Sequence, residues 1–186
     1  LNELSKGDCL ISNGQKQSLW VYTADCIPIL FADKEKGITA CCHSGWRGIA
    51  NGIIIKTIME LKKRGCSSDK LLVALGPAIS GENYQVDSKV ANSIIKSVNS
   101  INTSSVIIND ESNRQVYNFL ISKDGGETFN LDIRIAAVSQ LLSQKLRKEN
   151  ISLNSICTFS EKTLFNSWRR DKKKAHQWST IVSKMI

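Results

Sequence analysis

The order of hydrophobic patterns in the first half of the chain constrains the fold more than any other feature. Three short runs of apolar and β-branched residues come first, at 19–24, 27–32 and 38–42, and each is typical of a strand. From residue 49 to residue 63 the apolar positions recur every three to four residues instead. This period predicts an amphipathic helix, which Gly65 ends. Strands followed by a helix indicate a sheet with helices packed against it.

The rest of the chain mixes the same two kinds of pattern. It predicts a strand at 71–75 ending at Gly76-Pro77, a helix from the cap Asp87 to about residue 98, a loop at 99–105, a hairpin or irregular insertion at 106–122, a helix along the apolar stripe of 131–146, and strands at 151–157 and 176–185. We therefore expect a single domain over residues 1–186, a layered sandwich of the α/β or α+β class with mixed sheets.

Histidine is scarce, which limits the metal chemistry of the chain. Only 2 of its 186 residues are histidine, whereas a site with several copper ions needs many imidazole ligands. The 6 cysteines contain no CxxC pair, and the first residues are polar, so we expect no secretion signal, reduced thiols and a cytoplasmic protein. No apolar run approaches the length of a membrane span, and we expect no membrane partner.

Positive charge is concentrated at the end of the chain. The formal net charge is +8, and residues 161–186 contain seven Lys or Arg against two Asp or Glu. The basic segment 169–176 forms a solvated surface or contacts an anion. Aromatic residues make up only 6% of the chain, so a nucleic-acid partner is not favoured.

Cys26 and His43 are the strongest candidates for chemistry. Cys26 follows the predicted strand at 19–24 and His43 ends the predicted strand at 38–42, and pairing of these two strands would bring both side chains to one end of the sheet. A thiolate and an imidazole together either bind zinc or form a nucleophile with its general base. By spacing alone, such a pair is more often structural.

The turn after His43 offers an anion site. Ser44, Gly45 and Arg47 lie where the predicted helix begins, and free backbone N–H groups there, with the guanidinium of Arg47, would favour a phosphate. The alternative is that the glycines only allow the bend. Asp25, beside Cys26, is either an acidic partner in the site or a turn residue.

Five segments resemble the bacterial YfiH-type family, long labelled multicopper polyphenol oxidase or laccase-domain proteins. They are TADCIPILFAD at 23–33, HSGWRG at 43–48, LGPAISGENYQV at 75–86, FNLDIRIAAVSQLL at 129–142 and CTFSEKTLFNSWRRD at 157–171. They occur in the family's order and extend over nearly the whole chain. The pairing of the first two segments is highly specific.

The resemblance implies a fold and an activity. The fold is an α/β sandwich with mixed sheets that is similar to cysteine hydrolases. The activity is phosphorolysis of adenosine, inosine, guanosine and methylthioadenosine, with adenosine deamination, so the expected partners are a purine nucleoside and phosphate. The implied cofactor is one zinc ion, not copper, held by a His, a Cys and a second His. Cys26 and His43 match two of these ligands. Either the third lies in a family N-terminal segment upstream of Leu1, or this member has lost the three-ligand site.

Three hypotheses therefore stand at this point. The first is a zinc-dependent purine nucleoside enzyme, with Cys26 and His43 as ligands and Arg47 on phosphate. The second is a metal-free hydrolase, with Cys26 as nucleophile, His43 as base and Asp25 or Asp33 as the orienting group. The third is a non-catalytic module that binds anions or nucleic acid through the basic tail. The tail departs from the family pattern, because Lys172–Lys174 stand where a glycine-containing turn is usual.

Overall fold

The fold was derived from a computed structural model, which describes residues 7–14, 16–102, 119–123 and 127–183. The predicted insertion at 106–122 lies mostly outside these residues, and only Phe119 and the strand that follows it are described. The predicted loop at 99–105 is wrong for residues 99–102, since the helix before it continues to Asn102.

The described strands form three sheets. Their bounds are β1 Cys9–Ile11, β2 Ser18–Thr23, β3 Ile27–Asp33, β4 Thr39–Ser44, β5 Leu71–Leu75, β6 Gln85–Asp87, β7 Leu120–Lys123, β8 Thr128–Leu131, β9 Ile151–Leu153 and β10 Gln177–Val182. The main sheet has the order β1-β4-β3-β5-β9, in which only β5 and β9 are parallel. β2 pairs with β10, and β8 lies between β6 and β7. The α/β class with mixed sheets is thus confirmed.

Two strand predictions need correction. The strand predicted at 151–157 ends at Leu153, because residues 154–157 leave the sheet and Cys157 forms an isolated bridge with Ala78. The run at 19–24 is a strand, but it does not join the next two runs in one sheet. Its partner is β10, which comes from the other end of the chain.

Helices cover the main sheet. Their bounds are α1 Trp46–Ala50, α2 Ile53–Lys63, α3 Ser88–Asn102, α4 Ile133–Ser143 and α5 Trp168–Asp171. The predicted cap of α3 is present, since Asp87 accepts a hydrogen bond from the backbone N–H of Val90. Asp132, which the sequence did not single out, caps α4 in the same way. No helix among the described residues is long and apolar enough to cross a membrane.

The helix predicted at 49–63 is in fact two helices. The first begins earlier, at Trp46, and Asn51 and Gly52 separate it from the second. Gly52 has φ +69°, a left-handed conformation that costs little only in glycine. The apolar period persists through the break, which is why the pattern alone did not reveal it.

A continuous hydrophobic core fills the space between the sheet and α2, α3 and α4. It contains fully buried side chains from β3, such as Ile29 and Phe31, and from α2, such as Ile58 and Leu61. Burying such side chains contributes roughly 1.5–3 kcal/mol each. This core fixes β3 and β4 as rigid elements, and the candidate site lies at their end.

Candidate functional site

The register between β3 and β4 brings Cys26 and His43 together. The two strands are antiparallel, with Ile27 opposite Ser44 and Pro28 opposite His43. Cys26 immediately precedes β3, so it meets the end of β4, where His43 lies. Cys26 and His43 therefore meet at one end of the sheet, but the expected strand pair was wrong: β2, which precedes Cys26, pairs with β10, and the pairing of β3 with β4 brings the two residues together.

Gly45 shows how close this convergence is. A Cβ atom built on Gly45 would lie 2.7 Å from Sγ of Cys26 and 4.0 Å from Cε1 of His43. The backbone here has φ −84°, which any residue can adopt. Gly45 is therefore needed for space beside the sulfur, and not for the bend.

Asp8 holds His43 through two contacts. Its carboxylate lies 3.1 Å from Nδ1 of the imidazole, and its backbone oxygen accepts a 2.7 Å hydrogen bond from the His43 N–H. A carboxylate can only accept, so Nδ1 carries a proton, and Nε2 is the nitrogen that offers a lone pair when the ring is neutral. A histidine oriented in this way can bind a metal or act as a base.

The thiol of Cys26 is kept protonated in this environment. Burial raises its pKa, the negative charges of Asp25 and Asp8 raise it further, and Arg47 partly opposes them, giving a pKa of about 11. A thiol of this kind is a poor nucleophile near neutral pH, but binding to a metal cation would deprotonate it.

Asp25 joins three parts of the chain beneath Cys26. Its side chain is buried, and its two oxygens accept from the Thr158 hydroxyl and from the backbone N–H of Arg169, each at 2.7 Å. Its backbone oxygen accepts from the N–H of Ile79 at 3.0 Å. Asp25 therefore positions the loop that carries Cys26 and has both carboxylate oxygens engaged.

Tyr84 and two arginines complete the surroundings of Cys26. The guanidinium of Arg169 lies 4.8 Å from the centre of the Tyr84 ring and donates to the backbone oxygen of Gln85. Burial raises the pKa of Tyr84 to about 12, Cys26 raises it as well, and Arg169 and Arg47 act in the opposite direction. The Tyr84 ring thus lies beneath the Arg169 guanidinium, and its pKa responds to the charges of Cys26 and Arg47 as well.

The residues predicted to bind phosphate differ in what they can offer. Arg47 is exposed, with its guanidinium 4.3 Å from the centre of the Trp46 ring. Ser44 is fully buried, and its hydroxyl has no hydrogen-bond partner among the described residues. Because neighbouring strand residues point to opposite faces, its side chain points away from that of His43. α1 has only five residues, so its dipole is weak, and Arg47 is the stronger candidate.

Within the described residues, Cys26 and His43 are the two side chains at this end of the sheet that suit a zinc ion. No group of three or more His, Cys, Asp or Glu within those residues is arranged to hold a metal ion. His176, the other histidine, packs edge-on against Tyr22 with ring centres 4.8 Å apart. All six cysteines are free in the structure.

The basic tail separates into two parts. Arg170 is structural: its guanidinium donates to the backbone oxygens of Thr158, Phe159 and Phe165 and pairs with Asp171. Lys172–Lys174, in contrast, are exposed. The sequence did not distinguish Arg169, which faces the site, from Arg170, and it gave no signal for Asp8.

A family model described as multi-copper polyphenol oxidoreductase laccase matches residues 2–184. The chain belongs to this family. A relative in the family is a purine nucleoside phosphorylase of Synechocystis, 38% identical over 178 residues, which are 95% of this chain and 67% of that protein. Another is an adenosine deaminase from an unknown prokaryote, 27% identical over 88% of this chain and 56% of that protein.

Solved structures of the family have the same fold. YlmD from Geobacillus stearothermophilus superposes with a TM-score of 0.81 at 26% identity, over 96% of this chain and 61% of that one. YfiH from Bacillus licheniformis gives a TM-score of 0.79, also at 26% identity, over 95% of this chain and 61% of that one. The chain thus spans between about half and two thirds of the length of these relatives.

Proposed function

We propose that the protein is a zinc-dependent purine nucleoside enzyme that cleaves adenosine, inosine, guanosine and methylthioadenosine with phosphate and also deaminates adenosine. The observation that carries the proposal is the meeting of Cys26 and His43 beside Gly45, with Asp8 fixing the imidazole. The names of the family's curated relatives, a purine nucleoside phosphorylase and an adenosine deaminase among them, support the choice of substrate.

The two donors fit zinc better than copper or magnesium. Thiolate sulfur and imidazole nitrogen are the ligands that zinc takes in proteins, and the Asp8 contact is the outer support that metal-bound histidines usually have. Catalytic zinc sites commonly have three protein ligands. The proposal therefore requires a third donor from outside the described residues, and the family resemblance suggests a histidine.

Zinc held there would supply a Lewis acid next to the substrate. The chain's own groups would bind and orient the reactants. Arg47, whose charge acts on Cys26, and Arg169, whose guanidinium lies over the Tyr84 ring, provide positive charge that suits phosphate or the developing negative charge of a leaving purine. Asp25 keeps the Cys26 loop in place through its bonds to Thr158 and Arg169.

The proposal is tested by following adenosine in the presence of zinc, with and without phosphate, on the full-length protein. We expect adenine and ribose 1-phosphate only when phosphate is present, and inosine as the deamination product. Cys26→Ala and His43→Ala should lose both zinc and turnover. Lys36→Ala is a control, since Lys36 lies at a turn between β3 and β4, at the other end of those strands, and should leave both unchanged.

Turnover at the full rate by zinc-free protein would overturn the proposal. So would a His43→Ala variant that keeps its zinc and its rate. Zinc content and turnover are measured separately. A circular dichroism spectrum of each variant shows whether it is folded, so that loss of folding is not mistaken for loss of a ligand.

A metal-free Cys–His hydrolase is a second candidate. In this candidate Cys26 is the nucleophile, His43 its base and Asp8 the carboxylate that orients the base. Asp8 thus takes the role that the sequence suggested for Asp25 or Asp33. Asp33 is at a turn, where its carboxylate accepts from the N–H groups of Glu35 and Lys36. The raised pKa of Cys26 weighs against this candidate.

We further propose that the protein works in the cytoplasm. Its six free cysteines agree with a reducing compartment, where thiols are kept from pairing. Detection of the tagged protein in soluble and membrane fractions of the cell tests this proposal.

A further inference from the structure

Cys9 and Cys42 face each other across β1 and β4, next to the candidate site but not part of it. They are Cα partners in the antiparallel ladder. The backbone hydrogen bonds from His43 to Asp8 and from Ser12 to Thr39 fix the alternation along this ladder. The two cysteines therefore form a non-hydrogen-bonded pair, the kind in which side chains approach most closely.

This geometry suits a disulfide. Cα atoms in non-hydrogen-bonded antiparallel pairs are about 4.5 Å apart, and disulfides span Cα separations of roughly 4.4–6.8 Å. Both sulfurs also contact one hydroxyl on α2, because Oγ1 of Thr57 lies 3.2 Å from Sγ of Cys9 and 3.8 Å from Sγ of Cys42. The two thiols thus lie on the same face of the sheet.

The two thiols differ in their access to solvent. Cys42 is fully buried, whereas Cys9 is partly exposed on β1, at the edge of the described main sheet. A hydrogen bond from Cys42 lowers the pKa of Cys9, which favours its thiolate. Cys9 is therefore the thiol that an oxidant meets first, and Cys42 is the one that can close the bond.

We propose that Cys9 and Cys42 are a modification site, where a low-molecular-weight disulfide such as oxidised glutathione forms a reversible Cys9–Cys42 disulfide. The Cys9 thiolate attacks one sulfur of the oxidant, forms a mixed disulfide and releases one glutathione thiolate. Cys42 then transfers its proton to the released glutathione thiolate and attacks Sγ of Cys9, which releases the second glutathione as a thiolate. Two protein thiols are oxidised, one glutathione disulfide is reduced, and the reaction reverses in excess reduced glutathione.

The disulfide would tie β1 to β4 beside the Asp8–His43 contact, since Asp8 precedes Cys9 and His43 follows Cys42. Only this consequence for the site rests on the proposed function. The disulfide itself follows from the strand register and is tested without any activity assay.

The test is to treat the reduced full-length protein with oxidised glutathione, block free thiols, digest it without reduction and identify linked peptides by mass spectrometry. We expect a peptide that joins Cys9 to Cys42 and disappears after reduction. Cys9→Ser and Cys42→Ser should abolish it. Cys41→Ser is the matched control, because Cys41 points to the other face of β4 and should leave the linked peptide intact.

A second measurement uses the backbone of His43, whose N–H donates to Asp8. In the wild-type protein we expect slower hydrogen exchange of this amide after oxidation, because the disulfide holds β1 in place. Cys9 found only as a mixed disulfide with glutathione, or joined to Cys41, would overturn the proposal. Equal exchange in the oxidised and reduced forms would overturn its structural consequence.

Discussion

Gly45 is a residue whose missing side chain shapes the site directly. An alanine there would place its Cβ 2.7 Å from Sγ of Cys26, closer than real Cβ contacts allow, so the Cys26 loop would have to move. We predict that Gly45→Ala lowers zinc binding sharply and destabilises the fold by about 1–3 kcal/mol, a typical cost of overpacking. Zinc content and urea unfolding measure the two effects.

Gly14→Ala is the matched control, since the nearest atom to its added Cβ would be a flexible glutamine side chain at 3.9 Å. It should bind zinc as the wild type does. A Gly45→Ala variant with normal zinc content would show that the sulfur of Cys26 is not held where the structure has it.

Asp8 carries the second prediction at this scale. Asp8→Asn should keep the fold, because the side chain is largely exposed, but should hold the His43 ring less firmly. Outer-shell changes of this kind typically weaken metal binding by about 10- to 100-fold. Competition with a chelator of known affinity measures the loss. Glu149→Gln, which changes another exposed carboxylate, should have no effect, and an equal loss there would contradict the role of Asp8.

Cysteine reactivity gives a pH-dependent prediction for the metal-free protein. For Cys157, burial acts to raise the pKa, but hydrogen bonds from Ser80 and Ser160 outweigh it and lower the pKa to about 7. At pH 8 most of Cys157 is therefore thiolate, whereas Cys26, with a pKa of about 11, stays protonated.

Iodoacetamide should thus label Cys157 well before Cys26, and labelling of Cys26 should rise only as the pH approaches 11. Peptide mapping after short exposures at several pH values measures the order. Rapid labelling of Cys26 at pH 7 would instead favour the metal-free hydrolase.

The sequence was informative about the site only where a motif marked it. Cys26 and His43 lie in two specific segments, and their meeting at one sheet end was expected, although β3 and not β2 supplies the strand that pairs with β4. Asp8 carried no signal, because a single carboxylate in a short edge segment has no pattern of its own. The reason for Gly45 was also hidden, since only coordinates reveal the nearby sulfur.

Among the elements, the break between α1 and α2 offers a clean test. Gly52 has φ +69°, and an added Cβ would meet nothing closer than 3.7 Å, so only backbone strain opposes a side chain. Gly52→Ala should therefore destabilise the protein by about 1–2 kcal/mol, the cost of a left-handed conformation in an ordinary residue. Chemical denaturation compares it with Gly14→Ala, which has no positive φ. Equal stability of the two variants would contradict the break.

Elements with a clear period were predictable, and short or distant ones were not. The strands β3, β4 and β5 and the core of α4 followed from their apolar patterns. β1 and β6 have three residues each, too few for a pattern of alternation, whereas β9 was predicted but with an end that extended four residues too far. The pairing of β2 with β10 joins the two ends of the chain, and no local signal specifies such a partner.

On the scale of the whole molecule, the site depends on segments far apart in sequence. The carboxylate of Asp25 accepts from Thr158 and from the backbone N–H of Arg169, and its backbone oxygen accepts from Ile79, so the loop before β3, the turn after β5 and the C-terminal helix α5 meet at one residue. The same region places the guanidinium of Arg169 over the Tyr84 ring, and the charge of Arg47 acts on the pKa of Cys26. The rigid main sheet and this shared contact together hold Cys26 and His43 at one place.

The central claim is that Cys26 and His43 hold zinc, and X-ray absorption at the zinc edge tests it most directly. For the zinc-loaded full-length protein we predict one sulfur neighbour at about 2.3 Å and nitrogen neighbours at about 2.0–2.1 Å. The sulfur should disappear in Cys26→Ser. Zinc with no sulfur neighbour, or an unchanged sulfur signal in Cys26→Ser, would contradict the claim.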